Sequence, residues 1–287
     1  MNSNLVLFAM RNVKIFFRDR TAVIFSMFAA LIVIALYFLF IGESLTSEYS
    51  YLPNARTIID SWAMGGLMGV VPVTTTLAAL GIMIQDRITG AVRDFTVSPM
   101  KRYEIVGGYV LSTFIISTTL SLLSLGLAEA YIVSGGGPLL TGIQFASIIG
   151  VLLLSVLSAS AVMLVVALFL HSNNAYSAVS TVVGTLIGFI VGAFIPLGFL
   201  PSAVASFTKI IPATHSASLF RQIFMEKPME SMAGMPPEEI LDFEFKMGIK
   251  LGFGGEPISP EISIMILAGV CVLFYIIAIV IMSKKQR

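Results

Sequence analysis

Residues 62–84 read WAMGGLMGVVPVTTTLAALGIMI, twenty-three positions without one ionisable side chain. As a helix this run is about 35 Å long, enough to cross the roughly 30 Å hydrocarbon layer of a bilayer. No water reaches the backbone there, so a helix that satisfies its own N–H and C=O groups is the form such a segment takes. Charge returns at once on the C-terminal side, where residues 85–104 read QDRITGAVRDFTVSPMKRYE.

Working outward, five further stretches have the same character: 22–42, 105–133, 143–170, 176–197 and 262–282. None of the six carries Lys or Arg, and Glu129 is their one charged residue. The first is longer than a cleaved leader and ends at Gly42-Glu43-Ser44, which is no small-x-small cleavage site, so it is expected as a span. The whole chain agrees: 57% of its 287 residues are apolar and 11% charged. A soluble protein would have about one-quarter charged residues. The expected fold is an all-α integral membrane protein with six transmembrane helices, forming a single domain over 1–287.

The net charge of +1 gives no field for nucleic acid. Cys271 has no partner for a disulfide, and His171 and His215 form no cluster at metal-ligand spacing. Charge matters by location instead. With both termini on the cytoplasmic side, the inner segments hold eleven basic and four acidic residues, Lys284, Lys285 and Arg287 among them, and the outer segments six basic and eleven acidic. The only basic residue in the two short outer loops is Arg56, so the positive-inside rule places both ends in the cytoplasm.

The segment before the first span, 1–21, puts Arg11, Lys14 and Arg18 on one helical stripe and Val6, Met10, Val13 and Phe17 opposite. That is the pattern of a helix lying in the headgroup layer. It serves either as a plain anchor or as a helix presenting its basic face to a cytoplasmic partner. In the inner loop, Gly90 and Pro99 bracket a stretch long enough for two helical turns. Its mixed charges suit docking on a polar protein surface and suit a solvated connection equally.

Gly184, Gly188 and Gly192 recur every four residues in the fifth span, and Gly65 and Gly69 do so in the second, so both are expected to admit close helix approach or to face a pathway. Thr74, Thr75 and Thr76 either bond their own backbone or line a polar path. Residues 199–225, punctuated by Pro201 and Pro212 and ending near Arg221, are too interrupted to span and too apolar to be solvated. They are expected as two short helices that re-enter or lie on the outer leaflet. The acidic stretch 226–261 should complete a modest outer cap over 198–261.

No constellation of nucleophile, base and oxyanion donors is present, and His215 has no acid poised to orient it. Glu129 is the one candidate for ion coupling in a proton-driven carrier, although its place near the outer end of its span favours an interfacial role. No G-x-x-x-x-G-K-[ST] cradle occurs, nor any Gly-Lys dipeptide. If transport is ATP-driven, the ATPase is another polypeptide.

At this point the chain resembles the permease subunits of type-2 ATP-binding-cassette (ABC) exporters, six-span proteins that move drugs, peptides, lipids or lipid-linked glycans outward. The resemblance covers nearly the whole chain. The inner loop is similar to the family's acid-Arg-acid-x-Gly-Thr…Thr-Pro coupling segment at Asp86, Arg87, Gly90 and Pro99, followed by Arg102 and Glu104. Ile88, Ala91, Arg93 and Ser98 depart from it. Pro201, Pro212 and Arg221 resemble the outer helix pair before the last span. The resemblance implies a dimer of permeases, homo- or heteromeric, in the plasma membrane. Each would contact a cytoplasmic ATPase, which holds the ATP and Mg, through residues 86–104, including Arg93 and Asp94, and through the amphipathic helix. It further implies second and fifth spans facing a central pathway, with no cofactor in this chain. An amphiphilic drug, antimicrobial peptide or lipid suits an adaptable apolar path better than an ion or sugar does.

Overall fold

The computed structural model describes residues 3–98, 100–253 and 256–284. Pro99, Lys285 and Arg287, all used above, lie outside the described residues.

The described chain is almost wholly helical. Helix α1 (Ser3–Arg18) gives way at Asp19 to α2 (Arg20–Leu36), because the Asp19 carboxylate accepts a bond from the Ala22 N–H at 3.0 Å and caps the new helix. A π-helical turn, Tyr37–Ile41, carries α2 into α3 (Gly42–Glu48). After a short loop, α4 (Ala55–Ile88) takes 34 residues in one helix, with Pro72 in its middle. Helix α5 (Ala91–Val97) fills the inner loop as the Gly90 and Pro99 bracket predicts, and Gly90 supplies the left-handed φ of 82° that starts it. Then come α6 (Arg102–Ser134), α7 (Gly142–Phe169) and α8 (Asn173–Ile190). Local caps set their starts: the Glu104 carboxylate accepts from the Lys101 N–H, Thr141 and Gln144 form a reciprocal box, and Ser172 accepts from Ala175. The outer region holds α9 (Ser202–Thr208), α10 (Pro212–Met229), α11 (Pro237–Lys246) and a two-residue antiparallel pair, Gly252–Phe253 with Glu256–Pro257. Helix α12 (Pro260–Lys284) ends the described chain.

Five helices are long and apolar enough to cross a membrane among the described residues: Ala30–Glu48, Ala55–Ile88, Arg102–Ser134, Gly142–Phe169 and Pro260–Met282. The expected fifth span, 176–197, is not among them. Its helix α8 begins at the polar pair Asn173-Asn174 and stops at Ile190, where Gly192 at φ 68° turns the chain back. Gly192 therefore lies beyond the helix and belongs to no glycine stripe.

Helix α4 is the axis of the molecule, buried on every side from Ile58 to Val73. Around its first half one apolar cluster joins Trp62 and Leu67 to Phe220 and Phe224 of α10 and Phe243 of α11. Around its last turns a second cluster joins Leu80 and Ile84 to Phe8 of α1, Tyr109 of α6 and Leu164 of α7. The face of α1 that packs inward carries Phe8, Ala9, Asn12 and Phe16. Met10 and Phe17, on the apolar side of the expected stripe, are exposed, whereas Arg11, expected on the basic stripe with Lys14 and Arg18, turns into the protein.

Candidate functional site

The C-terminal end of α4 is held by a network that starts at Asp86. Its buried carboxylate accepts two bonds from the Arg11 guanidinium, at 2.6 and 3.0 Å, and a third from the Tyr109 hydroxyl at 2.8 Å. Hydrogen bonding to Asp86 raises the Arg11 pKa above the ordinary arginine value, against the opposing effect of burial. The guanidinium also lies over the rings of Phe8 and Phe95, 5.7 and 5.0 Å from their centroids, and the neighbouring Asn12 donates to Ser112 at 3.3 Å. Thus α1, α4, the short α5 and α6 meet at one charge pair. Arg87 points the other way and donates to the carbonyls of Ala167 and Leu170, at 3.2 and 2.9 Å, satisfying the open end of α7.

Asp86 and Arg87, expected on an ATPase-facing surface, are thereby engaged inside the chain, and Glu104 is buried as the cap of α6. What faces outward from the loop is Arg93, Asp94, Lys101, Arg102 and the apolar Val97, which is 86% exposed. Lys14 and Arg18 are exposed on α1.

Midway along α4 the three threonines differ. Thr75 and Thr76 are buried and donate to the carbonyls of Val71 and Pro72, at 2.7 and 2.6 Å, and Thr75 also shares a hydrogen with Ser117 at 2.6 Å. Thr74 bonds weakly to its own backbone and lines a cavity of about 460 Å³ between α1, α2, α4 and α8. Phe16 and Phe25 form its apolar wall and Ser26, Tyr176, Ser180 and Thr181 its polar one. Such a mixture accommodates an amphiphile, and the volume falls within the usual few-hundred-Å³ range of ligand pockets.

At the other end, Gly65 and Gly69 let α10 lie directly on α4. A Cβ on Gly65 would stand 2.8 Å from the Arg221 Cα, and one on Gly69 2.5 Å from the Ala217 Cβ. Gly184 has nothing within 4 Å, and Gly188 meets the ring of Phe194 from its own following turn, so these two admit no neighbouring helix in this chain. Arg221 is wholly buried. It donates to the carbonyls of Val191 and Gly192 at 3.0 and 2.6 Å and to Gly248 at 3.3 Å, with its guanidinium 4.9 Å from the Trp62 ring. One side chain thus joins α4, the end of α8, α10 and the turn after α11. Pro212 opens α10, whereas Pro201 is exposed ahead of α9. His215 is buried and bonds Ser263 and the Lys209 carbonyl. Since a carbonyl only accepts, Nε2 carries the proton and Nδ1 accepts from the serine, a structural arrangement.

Glu129 accepts from the Leu140 N–H at 2.7 Å, pinning the loop between α6 and α7, and its other oxygen is buried without a partner. Sequence reasoning missed Trp62, whose indole N–H donates to the Met247 carbonyl, and Tyr109, the third arm of the Asp86 network. It also missed Arg56 and Asp60, which pair at 2.9 Å within the first turns of α4. None has a motif. An aromatic in an apolar run and an i,i+4 pair at its edge were the only signals.

Five helices long and apolar enough to cross a membrane make the chain a multi-pass membrane protein. Residues 42–280 match the family of ABC-2 family transporter proteins, and the chain belongs to it. It is a multi-pass membrane subunit of an ABC transporter. No curated relative matches the sequence.

Proposed function

We propose that the chain is the permease of an ATP-driven exporter that moves an amphiphilic compound, of the drug, antimicrobial-peptide or lipid class, outward across the plasma membrane. In this reading α8 is the sixth crossing of the set, short because its outer end folds into the turn at Gly192. Helices α9 and α10 re-enter from the outer side, and both termini are cytoplasmic. A second permease, identical or paralogous, completes the pathway against the cavity bounded by α2, α4 and α8. A cytoplasmic ATPase holds the ATP and Mg.

The observation that carries this reading is the build of the inner loop. Helix α5 turns Val97 outward, while the residues at its root tie α4 to α1, α6 and α7 through Asp86 and Arg87. An apolar side chain exposed among charges, on an element so firmly rooted, suits a surface that receives a push and passes it on. Replacing Val97 with Asp tests it: the variant folds like the wild type, and its co-purification with the ATPase and its stimulation of ATP hydrolysis fall at least about tenfold, the effect of losing a buried interface anchor. Undiminished assembly and export with this variant would refute docking at α5.

A further inference from the structure

The outer cap holds a cleft of about 470 Å³ that has no part in the pathway proposed above. It lies where the end of α3 and the following loop face α11. Tyr51, 65% exposed, gives it an open aromatic ring over the buried Tyr49 and Phe243: the Tyr49 ring stands 6.1 Å from that of Tyr51, tilted by 45°, and 5.4 Å from that of Phe243, edge-on at 79°. Glu48, Glu239 and Asp242 line the same cleft.

The character of this lining selects one kind of occupant. Aromatic faces carry negative potential and attract a cation that is weakly hydrated, while carboxylates add the counter-charge. A metal ion would need several carboxylates converging on one point. Among the described residues no three acidic, His or Cys side chains do so, which means that the acids of this cleft stand around it and not at its centre. An ammonium already sits at its edge: Lys246 lines the cleft and places Nζ 2.6 Å from the Asp242 carboxylate, with both side chains more than half exposed. Glu48 and Glu239 have no ion pair within the described chain. The Tyr49 hydroxyl is pushed up to about 12 by burial and then by the charge of Glu48, which agrees with a negative potential in the cleft.

We propose that this cleft is a binding site for an organic ammonium group, the alkylated headgroup of a cationic small molecule, with Lys246 as a built-in competitor. Binding needs neither nucleotide nor the ATPase, so it stands or falls apart from the export reading.

The test uses the full chain in dodecyl maltoside, with choline as probe and its neutral isostere 3,3-dimethyl-1-butanol as control, followed by NMR saturation transfer and titration. Choline binds at least about tenfold tighter than the isostere, because only the charged form gains from the rings and carboxylates. The double variant Glu48→Gln with Glu239→Gln loses that preference, and Tyr51→Leu weakens choline several-fold while keeping the apolar bulk. Lys246→Met does the reverse and tightens choline about threefold, the scale of one exposed ion pair removed from competition. Equal binding of choline and isostere, indifference to the glutamine pair, or weaker binding after Lys246→Met would each overturn the proposal.

Discussion

Asp86 and Arg11 should behave as one energetic unit, and the two halves of that unit should not be equally costly to remove. Asp86 is buried and accepts three bonds, two of them from Arg11. The Arg11 side chain is 36% exposed and the Asp86 side chain 9%. Removing one partner of a buried pair costs about 3–5 kcal/mol, because the other charge is left without compensation. Arg11→Met strands the carboxylate with the Tyr109 hydroxyl alone and should cost near that full amount. Asp86→Asn strands a guanidinium that can turn to water, which lowers the loss to about 2–3 kcal/mol. The double variant should then cost less than the sum of the singles by about 2 kcal/mol. Reversible unfolding in mixed dodecyl maltoside and dodecyl sulfate micelles measures all three. The reasoning is refuted if the singles add within about 0.5 kcal/mol, or if Asp86→Asn proves the more damaging change.

Two other substitutions probe the outer end. Arg221→Lys keeps the charge but cannot serve carbonyls of Val191, Gly192 and Gly248 from one planar fork, so the cap should loosen by about 2–4 kcal/mol, read as proteolytic nicking after Gly192 at protease levels the wild type survives. Gly69→Ala, which drives a Cβ into Ala217, should destabilise by about 1–3 kcal/mol, whereas Gly184→Ala, with open space around it, should change stability by less than about 0.5 kcal/mol in the same unfolding assay.

The apolar runs of α4, α6, α7 and α12 were legible because a bilayer leaves a long apolar segment few alternatives, whereas the caps Thr141 and Ser172 that start α7 and α8 were not read from the sequence. What escaped was decided by geometry between elements. Sequence spacing alone could not tell that Gly65 and Gly69 receive α10 while Gly184 receives nothing, since the two pairs look alike in sequence. Helix α1 has apolar residues nearly all round, so its spacing did not show that Phe8 and Phe16 face the protein or that Arg11 leaves the basic stripe to reach Asp86. Arg221 was expected as an outer-helix residue, but its burial was not readable, because its partners are backbone carbonyls, which leave no mark on the amino-acid sequence.

The middle of α4 links these ends. One apolar cluster reaches along α4 to Val71 and another begins at Leu80, and in the passage between them Val73 packs with Ile187 and Ala217 and Ala79 with Phe16 and Ile116. Pro72 sits at that passage and deprives the helix of one donor, leaving the Met68 carbonyl without its usual partner. Thr75 and Thr76 then place hydroxyls on the carbonyls of Val71 and Pro72, contacts that favour bending.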